Sequence, residues 1–303
     1  MQLHELKQDL QFNTDLLHLV ETLKNIAGAQ YHVMEKKKER FDQFLDSFSG
    51  FFRVVNLVAV QDPLVQVVSD VVGVVVVTSD SGFMGGLNQG VIRESFKFQS
   101  DLGDDKIALM VIGDKGASVF SDYGRNFKFF QGINQDTIYE QAVDIRDYIV
   151  KEVMAKRMGK VVVVYPKSLS FIKQTIEVVN ILPCTELFDQ DKEDEIFHKH
   201  KSKVTGVIAE AHRVVVESSF PDMVEYLAGV WVTSNLFQIF EDSKLAEFSA
   251  RALHLEGSID KIGEEQKILE HRVFKAAHEL IDKGMRESFG AKSSKKKAKK
   301  TAA

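Results

Sequence analysis

Ser79, Asp80, Ser81 and Asn88 have the strongest claim to chemistry in this sequence. They share one short run, Val77-Thr78-Ser79-Asp80-Ser81-Gly82-Phe83-Met84-Gly85-Gly86-Leu87-Asn88. An apolar stretch precedes the run and a helical pattern follows it. A strand-to-helix turn of this kind can offer backbone N–H groups to a phosphate. The spacing Gly82-x-x-Gly85-Gly86 is not the dinucleotide fingerprint, and no Gly-Lys-Ser or Gly-Lys-Thr follows. Turn geometry alone accounts for these glycines. Ser79 or Ser81 as a nucleophile would need a base and an orienting acid, and the Gly-x-Ser-x-Gly elbow is missing. His198 and His200 are the only close histidine pair. They lie in a charged stretch with no third ligand in range, so a solvated loop is the reading rather than zinc. Asp189, Asp191, Glu193, Asp194 and Glu195 lack the glycine and the spacing of a calcium loop. The single cysteine, Cys184, excludes a disulfide framework and a cysteine-rich zinc site. No catalytic residue, metal site or cofactor is expected.

Charge narrows the partners. Lys plus Arg is 39 and Asp plus Glu is 44 in 303 residues, a net charge of -5. A dedicated nucleic-acid binder needs a basic excess for its phosphate contacts. With 44% hydrophobic and 27% charged residues, wholesale disorder is excluded. The longest apolar runs fall far below the roughly 20 residues of a membrane span. The opening MQLHELKQDL has no apolar core, so no secretory signal is expected.

The elements that must carry the glycine run divide the chain in three. All four prolines, Pro63, Pro166, Pro183 and Pro221, lie in its middle. Both ends are therefore free to be long helices, since proline costs about 3 kcal/mol inside one. Stepping by threes and fours from Val20 gives Leu23, Ala27, Gln30, Met34, Lys37, Phe41, Phe44, Phe48, Phe51, Val55 and Val58. From Leu245 it gives Phe248, Ala252, Leu255, Ile259, Ile262, Gln266, Leu269, Val273, Ala276 and Leu280. Both rows are apolar but for Gln30, Lys37 and Gln266, and such seams pack helix on helix. Helices of this length, roughly 85 and 100 Å at 1.5 Å per residue, most simply form an antiparallel hairpin. The middle alternates buried-type apolar runs at 71–77, 107–112 and 161–164 with helical patterns at 89–102 and 137–156. Further strands are expected at 174–180 and 213–217. This alternation predicts an α/β fold, a doubly wound and mostly parallel sheet, carrying an antiparallel coiled coil of the terminal helices. The expected segments are a first helix over 1–60, an α/β domain over 68–218, a last helix over 221–290 and a disordered basic tail over 291–303. That tail holds six lysines from Lys292 onward and no acid.

The glycine run resembles that of the gamma subunits of F-type ATP synthases. That family carries Thr-Ser-Asp, a basic residue, Gly-Leu-Cys-Gly-Gly, then an aromatic or Leu before Asn. Thr78, Ser79, Asp80, Gly82, Gly85, Gly86 and Asn88 match by identity. Ser81 replaces the basic residue and Met84 the cysteine. The stretch 23–29 is similar to the family's Ala-Met-x-x-Val-Ala-Ala in the first helix. The stretch 243–251 is similar to its Ser-Glu-x-x-Ala-Arg in the last. The resemblance covers nearly the whole chain.

What the resemblance implies is a rotor, a central stalk that couples ion flow through a membrane sector to ATP synthesis or hydrolysis on β subunits. It implies no catalysis by this chain. It implies α and β subunits of a hexamer, an epsilon-type subunit and a membrane c-ring as partners. It implies a peripheral place on the cytoplasmic face of a prokaryotic plasma membrane. Leu23, Asp80, Ser81, Gly82, Phe83, Met84, Gly85, Gly86 and Asn88 are the expected β-subunit contacts. Ala277 and His278 stand where the family's last helix has polar contacts with a β-subunit loop, and the loss of those polar groups weakens that contact here. The rival readings are a standalone α/β enzyme with a coiled-coil arm, and a structural adaptor.

Overall fold

Valine and isoleucine runs without a polar break form strands only where both faces are covered, and the sheet shows how. A computed structural model of the chain describes residues 3–52, 62–103, 106–184 and 220–301. It describes their side chains except at 38–52, 220, 221, 223, 224 and 291–301. The elements in order are α1 (Leu3–Phe52), β1 (Val72–Val77), α2 (Leu87–Ser100), β2 (Ile107–Ile112) and α3 (Asp114–Asp122). Then follow β3 (Lys128–Phe130), α4 (Ile138–Met154), β4 (Lys160–Ser168), β5 (Gln174–Leu182) and α5 (Phe220–Thr301). The expected strand at 213–217, the histidine pair and the acidic cluster lie outside the described residues. So do the side chains of the seam phenylalanines from Phe41 to Phe51.

The chain forms two compact units. One runs from Ala27 to Leu253; the other joins Met1–Ile26 to His254–Ala303. The first is built on a five-stranded sheet of order β3-β2-β1-β4-β5. β1 pairs parallel with β2 and β4, and β2 with β3; β5 pairs antiparallel with β4. Side chains alternate across the sheet. Val75, Val77, Met110, Ile112, Val161 and Val163 point into one layer, with Ile145 and Ile149 of α4 and Leu236 and Phe240 of α5. Val72, Val74, Val76, Val111, Val162 and Val164 point into the other, with Val91 of α2 and Phe120 of α3. Each buried valine contributes about 1.5–3 kcal/mol.

Tyr31 and Met34 of α1 belong to the first layer. Tyr31 meets Phe171 edge-on at 5.0 Å. The buried row of α1 here runs through Ala27, Tyr31 and Met34. Gln30, the seam position expected from sequence, is half-buried, and Lys37 is exposed. An alternating four-three step and a three-four step share every seventh residue, so the row of Val20, Ala27 and Met34 fixed the period but not its phase. Because α1 and α5 pack on the sheet, this unit takes in parts of both terminal helices that sequence assigns to the arm.

The second unit is a helix pair. Lys24 Nζ meets Glu256 Oε2 at 2.7 Å, and Gln266 Nε2 donates to Thr14 Oγ1 at 3.2 Å. Ten residues down α1 match ten residues up α5, so the two segments are antiparallel. Leu6, Asn13 and Val20 of α1 and Leu255 of α5 are buried. Ile259, Ile262, Gln266, Leu269, Val273 and Ala276 are half-buried, whereas Leu280 is exposed. The last helix continues through Thr301, so the tail expected to be disordered has helical backbone. Lysine and alanine, which dominate it, are good helix formers. Among the described residues no helix is long and apolar enough to cross a membrane.

Cys184 closes the sheet unit beyond β5, where its N–H donates to the Leu64 carbonyl at 2.9 Å. Burial pushes its thiol up to about 12, and the Asp62 carboxylate adds to the rise. The folded thiol stays protonated where an unfolded one ionises, so its contribution to stability is complete below about 9 and is lost as pH rises toward 12. The native chain is expected to resist a thiol reagent at about pH 8 and to label only in denaturant. Its stability should fall more steeply above about pH 9 than that of Cys184→Ala. Labelling at equal rates in native and denatured chain would show the thiol to be open.

Candidate functional site

The end of β1 is tied to two neighbouring turns, and those ties use most of the polar groups in the glycine run. The Thr78 hydroxyl donates to the Ile112 carbonyl at 2.7 Å and accepts from the Gly116 N–H at 2.9 Å. Asp80 Oδ1 accepts from the N–H of Asp114 at 2.9 Å and of Gly132 at 3.1 Å. Asp114 opens α3, so the carboxylate also sits at the positive end of a helix. Asn88, in the first turn of α2, accepts from the Ser79 N–H at 3.2 Å and donates to Ser79 Oγ at 2.9 Å. Ser79 Oγ in turn donates to the Ser81 carbonyl at 2.8 Å. Thr78, Ser79, Asp80 and Asn88 thus hold the loop's shape.

The middle of the loop is left for contact. Phe83 is 63% exposed and Ser81, Gly85 and Gly86 are exposed, while Met84 is buried. Phe83 has φ +64° and Gly85 φ +57°. A left-handed phenylalanine is strained and persists only where its surroundings impose it. Here the imposition comes from the Ser79–Asn88 clasp and from the Leu87 N–H bonding back to the Met84 carbonyl at 3.2 Å.

One further side chain reaches the loop. Arg251 of α5 donates from Nη2 to Ser81 Oγ at 2.8 Å and from Nε toward the Gly82 carbonyl at 3.5 Å. Its guanidinium pairs with Glu247 at 2.7 Å, and Glu247 also pairs with Lys244 at 2.7 Å. These groups line an open cleft of about 430 Å³ with Gln30, Ser79 and Asn134. Arg251, the last residue of the stretch similar to the family's Ser-Glu-x-x-Ala-Arg, thus sets a cation against Ser81. The sequence carried a signal for it: Lys244, Glu247 and Arg251 recur at helical spacing within an otherwise buried stretch of α5.

The two serine hydroxyls have a carbonyl, an amide and a guanidinium as partners, none of which can take a serine proton. The Ser79 and Gly90 amides are bonded to Asn88 and to the Gly86 carbonyl. Among the described residues no three His, Cys, Asp or Glu side chains converge as a metal site. Of the expected contact residues, the structure brings 80–88 together. Leu23 and Ala277, half-buried, and His278, exposed, belong to the helix-pair unit.

Known proteins match this architecture. A family model described as ATP synthase matches residues 2–287. The ATP synthase gamma chain of Desulforudis audaxviator is 26% identical over 197 residues, which is 63% of each chain. That of Crocosphaera subtropica is 24% identical over 267 residues, 81% of this chain and 84% of the relative. Solved structures share the fold. The rotor of the Euglena gracilis mitochondrial ATP synthase has a TM-score of 0.61 at 17% identity, covering 92% of this chain and 98% of its own. A chain from the Euglena gracilis OSCP/F1/c-ring structure has a TM-score of 0.66 at 17% identity, covering 96% and 94%. With a match from residue 2 to residue 287, a paired-helix unit and the glycine loop at the end of β1, the chain belongs to the ATP synthase gamma-chain family.

Proposed function

We propose that this chain is the central-stalk rotor of an F-type ATP synthase or ATPase, coupling ion flow through a membrane sector to ATP synthesis or hydrolysis on β subunits. The carrying observation is the antiparallel pairing of α1 with α5 through Lys24–Glu256 and Thr14–Gln266, in a chain matched by the family over nearly its whole length. The subunit is non-catalytic. A rotor needs a stiff, asymmetric shaft, and paired helices resist twist better than one. If its faces bind surrounding subunits unequally, turning it shifts them among conformations by that differential affinity.

Its partners on this reading are the α and β subunits, an epsilon-type subunit and a c-ring, in a peripheral position on the cytoplasmic face of a prokaryotic plasma membrane. The glycine loop meets a β subunit through Ser81, Gly82, Phe83, Gly85 and Gly86. Asp80, Met84 and Asn88 act from behind by fixing its shape. Leu23 is a contact on the helix pair, with Ala277 and His278 weaker ones. An exposed aromatic on a preformed loop suits an interface anchor, and removing one costs about 2 kcal/mol or more. The test is reconstitution with α and β chains and a membrane sector. Complete complexes should pump ions when given ATP, and complexes lacking this chain should not. Phe83→Ala should assemble yet move fewer ions per ATP. Pumping that does not depend on the chain would overturn the reading.

A further inference from the structure

We propose that Arg251 is a positioning residue that latches the glycine loop to α5, so that the exposed Phe83 face follows the helix. The proposal rests on the rotor reading of the loop. Three observations carry it. The base of the loop is fixed to the sheet unit by Thr78, Asp80 and Asn88, but its middle, from Ser81 to Gly85, is exposed except for Gly82 and Met84. Among the described residues, Arg251 of α5 bonds into that middle, to Ser81 Oγ and the Gly82 carbonyl.

The second observation is what holds the arginine. Arg251, Glu247 and Lys244 have side chains only 15%, 9% and 11% exposed. Burying such charges is costly, and an apolar residue at these positions would often be as stable or more so. Their arrangement makes sense as orientation. Glu247 accepts from Arg251 on Oε1 and from Lys244 on Oε2, and Lys244 lies over the Phe248 ring at 5.1 Å. The carboxylate is thereby locked, and it aims the guanidinium at the loop.

The third is that α5 is bonded to the sheet unit at other points too. Arg146 of α4 donates to Thr233 at 3.2 Å, and Gln174 of β5 donates to Ser249 at 3.0 Å. Those bonds join α5 to rigid elements. Arg251 alone among these joins it to a surface loop. Movement of α5 is then delivered to Phe83 directly rather than through the sheet.

The experiment compares Arg251→Gln, Arg251→Lys, Ser81→Ala and Phe83→Ala in reconstituted complexes, reading ions pumped per ATP hydrolysed. Arg251→Gln leaves Glu247 paired with Lys244, so no charge is stranded. It should lower the ratio about tenfold or more, the size of one lost charge-assisted hydrogen bond, while hydrolysis continues. Arg251→Lys keeps a donor and should recover much of the ratio. Ser81→Ala removes one of the two bonds from the exposed side and should give a smaller loss, about twofold. It also serves if Arg251→Gln fails to fold: a parental ratio in Ser81→Ala then overturns the latch. Coupling lost in Phe83→Ala but parental in Arg251→Gln overturns the latch and leaves the loop as a contact. Parental coupling in all four variants overturns both the latch and the loop's role.

Discussion

Replacing Gly113 by alanine is expected to remove a large part of the folding stability of the sheet unit. Gly113 follows β2 with φ +95°, a conformation costing about 1–2 kcal/mol for a residue with a Cβ. The added carbon would also press on the Thr78 carbonyl oxygen, and would lie 2.7 Å from the Thr78 carbonyl carbon and 3.0 Å from that of Ser79. These are backbone atoms and cannot rotate away. Relief would shift the strand end and break the Thr78 bonds to Ile112 and Gly116, adding about 1–3 kcal/mol for buried groups left unpaired. The sum, about 2–5 kcal/mol, is a large fraction of the 5–15 kcal/mol typical of a folded protein. Urea melts followed by the fluorescence of Trp231, the only tryptophan, should show it. Gly124→Ala is the control. Gly124 has φ +65° and open space around it, so only the strain of about 1–2 kcal/mol should appear. Equal losses in the two variants would mean that the close approach to Thr78 contributes nothing.

Gly113 also shows what could be read from the sequence and what could not. The continuous apolar runs announced β1, β2 and β4, and 107–112 was legible to the residue, because burial on both faces leaves a period-free signal. α3 and β3 were not legible. α3 is nine residues long and carries Gly116, which breaks a helical pattern. That glycine is there for Thr78, since a Cβ would lie 2.6 Å from its hydroxyl. β3 is Lys128–Phe130, three residues with exposed side chains at two of them, too short to show alternation. Such features answer to neighbours distant in sequence, which a local pattern does not display.

The loop divides in the same way. Its residues stood out by type, but type could not separate the groups that shape it from those it presents. Asp80 and Asn88 look like surface chemistry in sequence; in the fold their side chains are bonded to the N–H groups of Asp114, Gly132 and Ser79. Phe83 looks like a core residue and is exposed. Arg251 lies 170 residues from Ser81, and its reach follows from how α5 packs on the sheet. The helix pair was legible for the opposite reason: a seven-residue row needs only the helix to be interpreted, although the row read from Val20 onward left out Leu6 and Asn13, which are buried at the same spacing.

Aspartate at Leu255 is expected to unzip that helix pair with little effect on the sheet unit. Leu255 is 1% exposed. Losing its packing alone costs about 2–5 kcal/mol, and a carboxylate in its place adds the penalty of a buried charge. The helical signal in circular dichroism should then be lost early on heating. The Trp231 transition should move little, because that residue packs against the sheet's core layer. Acid should partly rescue the variant. Burial raises the new carboxyl's pKa above about 3.9, its unfolded value. Between those two values the folded state binds the extra proton, so stability falls as pH rises through that window and recovers as pH is lowered. Leu255→Asn, which is polar but does not titrate, should show no such recovery relative to the parent. Coincident shifts of the helical and Trp231 transitions would show that the two units unfold as one. An unchanged helical transition would remove Leu255 from the seam.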